Sequence, residues 1–273
     1  MKLIERKIID VNPKDFIKRA AASKDCQEII DSSTKILSPS GELLVVYETD
    51  VDEPALKLAR QELQLTRFTW NTRSGGLKTL SEIFGYAPRN ALRKQPCRSA
   101  LLSAEQPVTA ETLKAAGEFL NEWYKTNSPD AYATHKDTVT KVLNEWRMKD
   151  SVFTSGIANK NNVIDYHFDK GNFKRCHSVM IGFKKNCTGG FLSVPQLGIK
   201  FDISDNSIIS FDGQSLIHGV TPISISPGGF RYTVVYYSLS QMWKCVPIDE
   251  ELIEFRKKMD VQAENMRRNG KYA

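Results

Sequence analysis

The chain has 273 residues, of which 41% are hydrophobic and 26% are charged, and its formal net charge is +6. These values are ordinary for a globular protein with a sizeable core, and they exclude a collagen-like, disulfide-dense or low-complexity chain. No apolar run approaches the roughly 18 residues of a membrane helix, and the first residues lack a secretory apolar region, so we expect an intracellular protein without a membrane partner.

The first fifth of the chain is typical of a short αβ region. Asn12 and Pro13 indicate a helix start, because an asparagine cap followed by proline suits the first helical turn. The stretch GELLVVYET predicts a strand, and DEPALKLARQEL predicts a helix over about residues 53–63.

The segment 66–99 has a different character, because it combines many cations with interleaved aromatic residues and one acid, Glu82. Glycine and proline interrupt it and its periodicity is poor, so it is predicted to be rich in loops. Its cations are Arg67, Arg73, Lys78, Arg89, Arg93, Lys94 and Arg98, and its aromatic residues are Phe68, Trp70, Phe84 and Tyr86.

Two amphipathic helices are predicted next. The first, over residues 109–126, begins at Thr109 as its cap and presents one apolar face made by Leu113, Ala116, Leu120 and Trp123. The second, over residues 128–149, presents Val139, Leu143 and Trp146, and its His135 is expected to be solvated. Such helices typically support one side of a β core.

From about residue 150 the hydrophobic period changes from 3.6 to 2, which is typical of strands. Turn signals separate six short strands, and many short antiparallel strands of even spacing predict two packed sheets, a jelly roll. The strands are expected at 178–183, 190–194, 197–203, 206–211, 215–220 and 230–239.

The predicted fold class is therefore α+β, with a double-stranded β-helix (jelly roll) core supported by helices. We divide the chain into an N-terminal αβ region with the basic loop (1–100), the core (101–246) and a charged C-terminal helix (247–273) that packs on the core. Leu252, Phe255 and Met259 are the residues expected to pack.

The cysteines are odd in number and none follows another at C-x-x-C spacing, so we expect reduced thiols rather than a disulfide framework or a zinc ribbon. They are Cys26, Cys97, Cys176, Cys187 and Cys245.

Three side chains form a candidate metal site. His167 and Asp169 are two residues apart at a strand end, so they share a face, and His218 follows from a strand far along the chain. Two imidazoles and one carboxylate make the facial triad of non-heme Fe(II) oxygenases, which leaves metal positions open. An isolated H-x-D is more often a pair of ordinary surface residues; the order of His218 and Arg231 on later strands favours the metal site.

Arg231 begins an apolar strand, where a cation is costly unless it is paired. A guanidinium there can bind the distal carboxylate of 2-oxoglutarate through two hydrogen bonds, and Thr233 on the same face can donate a hydroxyl to it. A structural salt bridge is the alternative. Neither His135 nor His177 is expected to be a ligand.

The runs HFDKGN, GGFLSVPQLGIKF, SIISFDGQSLIHG and FRYTVVYYS resemble the TET/JBP dioxygenases over about residues 150–240. The stretch IFGYAPRNALRKQPC is similar to the segment that precedes the core in small members of this family. The resemblance implies oxidation of the 5-methyl group of pyrimidines in nucleic acid, with Fe(II), 2-oxoglutarate and O2. It also implies that Asn172, three residues after Asp169, contacts the target base.

A base in duplex DNA must be flipped out to reach such a pocket, at a cost of a few kcal/mol. We expect Arg89, Arg93, Lys94 and Arg98 to contact the phosphates, although a solvated loop with core aromatics would look the same in sequence. The first hypothesis is a hydroxylase of 5-methylcytosine in DNA, acting as a monomer without an obligate protein partner.

Three alternatives remain open. The enzyme could hydroxylate thymine in the same way, because both bases carry a 5-methyl group. It could act on a protein side chain, a free nucleoside or a small metabolite. A nucleic-acid- or sugar-binding jelly roll without catalysis is the third, and the intact triad argues against it.

Overall fold

A computed structural model describes residues 1–72, 78–149 and 151–269. The helices are α1 (Pro54–Leu65), α2 (Leu101–Glu105), α3 (Pro107–Asn127), α4 (Pro129–Val139) and α5 (Ile248–Arg268). The strands are β1 (Lys2–Glu5), β2 (Glu28–Ile30), β3 (Thr34–Leu37), β4 (Leu43–Glu48), β5 (Trp70–Thr72), β6 (Lys78–Ala87), β7 (Arg98–Ser99), β8 (Ser155–Lys160), β9 (Ile164–His167), β10 (Ser178–Gly189), β11 (Leu192–Val194), β12 (Ile199–Phe201), β13 (Ser207–Phe211), β14 (His218–Val220) and β15 (Ile223–Tyr237).

The strands form two sheets. Within the described residues, the large sheet has ten strands in the order β1-β3-β4-β13-β10-β15-β8-β6-β5, with β7 paired to β6, and the small sheet has five in the order β2-β12-β11-β14-β9. The α+β jelly roll expected from the sequence is confirmed. Strands from residues 1–100 extend both sheets, so this region is continuous with the core, and the division into three parts stays a prediction.

Alternate residues along the central strands enter two different cores, as a period of two requires. Val179 and Ile181 of β10 belong to the same hydrophobic core as Leu113 and Leu120 of α3. Met180, between them, faces the small sheet and packs in a second core. Both faces of the large sheet are therefore buried at its centre, and the cavity described below lies between the two sheets.

Several helix predictions are confirmed only in part. The face of α3 is buried as predicted, but α3 begins at Pro107, and Thr109 donates a hydrogen bond of 2.8 Å to Glu62 of α1 instead of capping. The helix start at Asn12 is a single 3₁₀ turn (Pro13–Asp15), although Asn12 does cap it.

The second amphipathic helix is shorter than predicted. It ends at Val139, and Trp146 is buried through a separate 3₁₀ turn while Leu143 is 41% exposed. His135 was expected to be solvated, which is wrong: it is 1% exposed and its Nε2 lies 2.9 Å from Ser238 Oγ. Burial lowers the pKa of His135 to about 3, so the ring is neutral.

The C-terminal helix packs through Phe255, whereas Leu252 is 47% exposed. Glu251 takes the buried position beside it and binds Arg89. The expected packing of Leu252 is therefore wrong, because an ion pair rather than an apolar contact holds the first turn of α5.

The segment 66–99 is not mainly loop. It contains β6, ten residues long, which pairs with β8 from Ser81 to Gly85. β6 buries three polar side chains, Thr79 and Ser81 on one face and Glu82 on the other, so an apolar alternation is missing from its sequence. Arg73 and the Gly75-Gly76 pair lie outside the described residues.

Cys97 and Cys245 form a disulfide across 148 residues of sequence, so the expectation of five reduced thiols is wrong for this pair. The crosslink joins the end of the basic segment to the residues just before α5. Pairing at such a separation depends on the tertiary fold, and cysteine spacing alone does not reveal it.

We expect a thiol titration of the unfolded, unreduced protein to detect three thiols, Cys26, Cys176 and Cys187, and to detect all five after reduction. Closing so long a loop should stabilise the fold by up to about 5 kcal/mol, so a reductant should lower the melting temperature. Detection of five thiols before reduction would contradict the crosslink.

Within the part of the chain that the structure describes, no helix is long and apolar enough to cross a membrane.

Candidate active site

The candidate metal ligands come together on the small sheet. His167 ends β9 and His218 begins β14, and the two residues are direct partners in the pairing of these strands. Asp169 lies just beyond β9, where its backbone N–H donates to Gly213 O at 2.8 Å. His167 Nε2 is 3.5 Å from Asp169 Oδ1, and His218 Nε2 is 3.8 Å from Asp169 Oδ2.

The two imidazoles are oriented in the same way. His167 Nδ1 lies 2.8 Å from Asp165 O, and His218 Nδ1 lies 2.9 Å from Leu216 O. A carbonyl oxygen only accepts, so Nδ1 carries the proton on each ring and Nε2 is the metal-binding nitrogen. Burial, assisted by the neighbouring His167, lowers the pKa of His218 to about 4, which keeps this ring neutral as a metal ligand must be.

Among the described residues, this is the one group of three such side chains whose ligand atoms converge, with all of them within 4.8 Å of one another. Gly213 makes the approach possible, because a Cβ at this position would lie 2.6 Å from Asp169 Oδ2 and 3.2 Å from His218 Cε1. In the sequence, Asp212-Gly213 is visible only as a turn signal, and its role beside the ligands was not predicted.

Arg231 and Thr233 face the ligands from β15 of the large sheet. A cavity of about 490 Å³ lies between the sheets and is lined by both residues, by the three ligands and by Asn172. The volume is within the range of small-molecule sites. The two halves of the predicted site, one on each sheet, therefore open into one cavity.

Arg231 is 2% exposed, and neither its Nε nor its Nη2 has a hydrogen-bond partner among the residues that the structure describes. Burial lowers the pKa of Arg231 to about 10, so the guanidinium remains a cation at neutral pH. A buried cation without a partner is costly, and a carboxylate that enters the cavity would satisfy it. The salt-bridge alternative for Arg231 is not observed in the described residues.

Gly190 shapes the wall beside this cation. Its φ is +68°, and a Cβ there would lie 2.8 Å from Arg231 Nε. A side chain at position 190 would therefore displace the guanidinium. Thr233 is buried, and its Oγ1 accepts a hydrogen bond of 3.4 Å from Asn159 Nδ2, a residue that also lines the cavity and that sequence reasoning missed.

Asn172 lies at the cavity beside the carboxylate ligand. Its Nδ2 is 3.4 Å from Asp169 Oδ2 and 3.0 Å from Ser178 Oγ. The amide thus supports the orientation of Asp169 and lines the same cavity as the three ligands.

The four expected DNA-contacting cations separate into two kinds. Arg93 and Lys94 are exposed at the tip of a short hairpin. Arg89 instead makes two hydrogen bonds to Glu251 with its side chain 14% exposed, and Arg98 donates to Pro88 O and Pro96 O. The internal partners of Arg89 and Arg98 argue against direct phosphate contact by these two residues.

A larger cavity of about 680 Å³ lies elsewhere and is lined by His177 and Arg175. It contains none of the predicted ligands, and His177 stacks on Tyr124 with its Nδ1 3.4 Å from Ser210 Oγ. The chemistry therefore identifies the smaller cavity as the active site, and His177 stays outside it as expected.

Comparison with known proteins agrees with this site. The model of the Tet_JBP family, described as the oxygenase domain of the 2OGFeDO superfamily, matches residues 82–240, more than half of the chain. A curated relative, the bifunctional helicase and thymine dioxygenase JBP2 of Trypanosoma brucei brucei, is 23% identical over 234 residues. The match covers 82% of this chain and 21% of that protein, so the chain spans about a fifth of its length.

Among solved structures, NgTET1 in complex with 5mC DNA superposes with a TM-score of 0.61 at 12% identity, covering 84% of this chain and 86% of that one. This likeness shows the shared fold. A 2OG-Fe(II) oxygenase-family protein from Burkholderia pseudomallei reaches a TM-score of 0.45 at 14% identity over 71% of this chain and 85% of that one, too low to carry an argument.

The donor set fits the cofactors of this superfamily. Two imidazoles and a carboxylate suit Fe(II), and the two nitrogens of Arg231 that lack partners in the described residues suit a carboxylate of 2-oxoglutarate. The chain belongs to the Tet_JBP family and is a dioxygenase that uses Fe(II), 2-oxoglutarate and O2.

Proposed function

We propose that the enzyme hydroxylates the 5-methyl group of 5-methylcytosine in DNA, acting on a base flipped out of the duplex. The observation that carries the proposal is the single cavity in which the His167–Asp169–His218 triad faces Arg231, with Asn172 beside the triad. A cavity of about 490 Å³ between two sheets is too small for an intact duplex, so a base in DNA has to be extruded to react there.

The residues of the chain have distinct roles in this proposal. His167, Asp169 and His218 hold the metal, and Arg231 with Thr233 binds the far carboxylate of 2-oxoglutarate on the opposite wall. When bound, Fe(II) and 2-oxoglutarate together activate O2 to oxidise the methyl group. We propose that the enzyme acts as a monomer without an obligate protein partner, because the metal ligands and the 2-oxoglutarate cation line one cavity.

We propose that Asn172 hydrogen-bonds to the polar edge of the flipped base. Its Nδ2 already donates to Asp169 Oδ2 and Ser178 Oγ, so Oδ1 is the atom that would accept a hydrogen bond from an N–H on the polar edge of a pyrimidine. Its Nδ2 lies 3.4 Å from the metal ligand Asp169, so a base held by this amide would present its methyl group close to the metal.

Thymine is the second candidate base. It carries the same methyl group and differs from 5-methylcytosine only at its hydrogen-bonding edge, and the curated relative is named as a thymine dioxygenase. The exposed cations Arg93 and Lys94 favour DNA over a protein side chain, a nucleoside or a small metabolite, because a small substrate does not need a phosphate-binding surface.

The proposal is tested by nucleoside mass spectrometry after incubation of duplex DNA with the enzyme, Fe(II) and 2-oxoglutarate. One duplex contains 5-methylcytosine and the other contains thymine as its sole 5-methylpyrimidine. We expect 5-hydroxymethylcytosine from the first duplex and none with His167→Ala. A 5-hydroxymethyluracil product alone would transfer the function to thymine, and succinate formation with neither product would exclude both bases.

Arg93→Ala combined with Lys94→Ala should weaken DNA binding and flatten its salt dependence. The slope of log K against log salt is negative, and its magnitude falls by about 0.9 for each phosphate-binding cation that is removed. We therefore expect the magnitude to decrease by nearly 2 for the pair. Fluorescence anisotropy across a salt series measures the slope. Lys24→Ala with Lys125→Ala, two exposed cations on other elements, is the matched control, and equal slopes for all three proteins would refute the phosphate-binding role.

A further inference from the structure

A short hairpin at residues 90–95, which we call the Leu92 hairpin, carries an unusual combination of side chains. Its ends pair through Asn90 and Gln95, and Leu92 at its tip is 98% exposed. Arg93 and Lys94 follow directly and are also exposed. A single exposed leucine is common on protein surfaces and does not by itself indicate a binding site. Here the leucine lies at the tip of a turn beside two cations, and this combination suits contact with nucleic acid.

We propose that Leu92 is a wedge that enters the base stack of duplex DNA and fills the space left by the flipped nucleotide. The proposal rests on the DNA hydroxylase function given above. Proteins that distort DNA insert apolar side chains between base steps, while neighbouring cations bind the phosphates. The Leu92 hairpin provides both groups within three consecutive residues.

The hairpin is built as a rigid support. Its turn is closed by the backbone hydrogen bonds from Asn90 N to Gln95 O (2.8 Å) and from Gln95 N to Asn90 O (2.9 Å), and Arg93 N donates to Asn90 Oδ1 at 3.0 Å. A wedge held in this way loses little conformational entropy when it binds.

Both ends of the hairpin are anchored to the core. Arg89 pairs with Glu251 on one side, and on the other Cys97 N donates to Glu251 Oε1 at 2.9 Å. The disulfide between Cys97 and Cys245 adds a covalent link. One buried carboxylate and one crosslink therefore fix the hairpin relative to α5 and the residues that precede it.

The hairpin follows the end of the large sheet that carries two residues of the active-site cavity. Ser155 of β8 pairs with both Gly85, near the end of β6, and Tyr237, at the end of β15. Tyr237 and Leu239 line the active-site cavity. The hairpin begins just beyond β6, so it follows the same end of the sheet as these two cavity residues.

The rim and the hairpin are also joined by a shared depression. Ala91 of the hairpin and Gln241, two residues beyond Leu239, line the same shallow pocket. Leu239 in turn pairs with Asn172, the residue assigned to the base edge. The hairpin is therefore connected to the cavity through the segment from Leu239 to Gln241, and this is the path along which we place the duplex.

Leu92→Ala tests the wedge. On duplex DNA containing 5-methylcytosine, we expect kcat/KM to fall on the order of tenfold, because base extrusion loses its apolar replacement. On single-stranded DNA of the same sequence, where no pair is opened, it should stay within about twofold of the unchanged protein. Leu92→Met should retain duplex activity, and Leu65→Ala, a leucine 79% exposed on α1, is the matched control.

A second readout does not depend on turnover. A 2-aminopurine placed beside the 5-methylcytosine in the duplex should become brighter when the protein binds, and Leu92→Ala should remove most of this increase. Equal losses on duplex and single strands, or no loss on either, would overturn the wedge while the hydroxylase function stands. Brightening that depends on Leu92 without any hydroxylated product would support the wedge and reject the function.

Discussion

Replacing Arg231 with alanine should raise the KM for 2-oxoglutarate on the order of 100-fold or more. Truncating one member of a buried, hydrogen-bonded charge pair costs about 2–5 kcal/mol, and Arg231 is buried with two donor atoms that lack partners in the described residues. Initial rates of succinate formation across a 2-oxoglutarate series measure the effect.

Two controls separate binding of the co-substrate from folding. Arg231→Lys keeps the charge but loses the planar guanidinium that binds a carboxylate through two hydrogen bonds. Its KM for 2-oxoglutarate should therefore lie between those of the unchanged protein and Arg231→Ala. Arg60→Ala removes an arginine paired with Asp205 outside the cavity and should leave the KM unchanged. An Arg231→Ala protein with a lower melting temperature but an unchanged KM would show that the cation is only structural.

Substituting any one of the three metal ligands should remove bound Fe(II) and abolish turnover. The loss of metal affinity and activity should exceed the roughly 10–100-fold that is typical when a residue hydrogen-bonded to a metal ligand is replaced. Asp169→Asn is the sharpest variant, because it keeps the shape of the side chain and removes the charge. Metal content after desalting and succinate formation are the two measurements.

Asp130→Asn is the matched control, since Asp130 is an exposed carboxylate on α4 that lies outside the active-site cavity. It should retain iron and activity. Full iron content in Asp169→Asn or in His218→Ala would contradict the assignment of the triad.

The metal site could be predicted because its sequence signals are local and ordered. His167 and Asp169 are two residues apart, and His218 and Arg231 each fall on a strand that the alternating pattern reveals. What the sequence did not indicate is that His167 and His218 would be direct strand partners, or that Gly213 and Gly190 would leave room for Asp169 and Arg231. These features depend on close approaches between distant segments.

The elements that the sequence did not predict share one property: they bury polar groups within the fold. β6 buries Thr79, Ser81 and Glu82 and therefore resembles a loop in sequence. His135 stands between polar neighbours, yet it shares a helix face with Val139 four residues later, and this spacing was the available signal.

Long-range pairs were beyond sequence reasoning altogether. Arg89 and Glu251 are 162 residues apart. From sequence alone, a cation in a basic segment is equally consistent with a phosphate ligand and with one member of a buried ion pair. Their ion pair, together with the Cys97–Cys245 crosslink, anchors a hairpin where the sequence predicts a loop.

The most direct test of the proposed reaction uses ¹⁸O2 and duplex DNA that contains 5-methylcytosine. We predict one labelled oxygen in the new hydroxymethyl group and one in succinate, in equal amounts, with carbon dioxide as the third product. Neither label should appear with Asp169→Asn. Labelled succinate formed at the same rate with and without DNA, and no label in any nucleoside, would contradict hydroxylation of a DNA base by this enzyme.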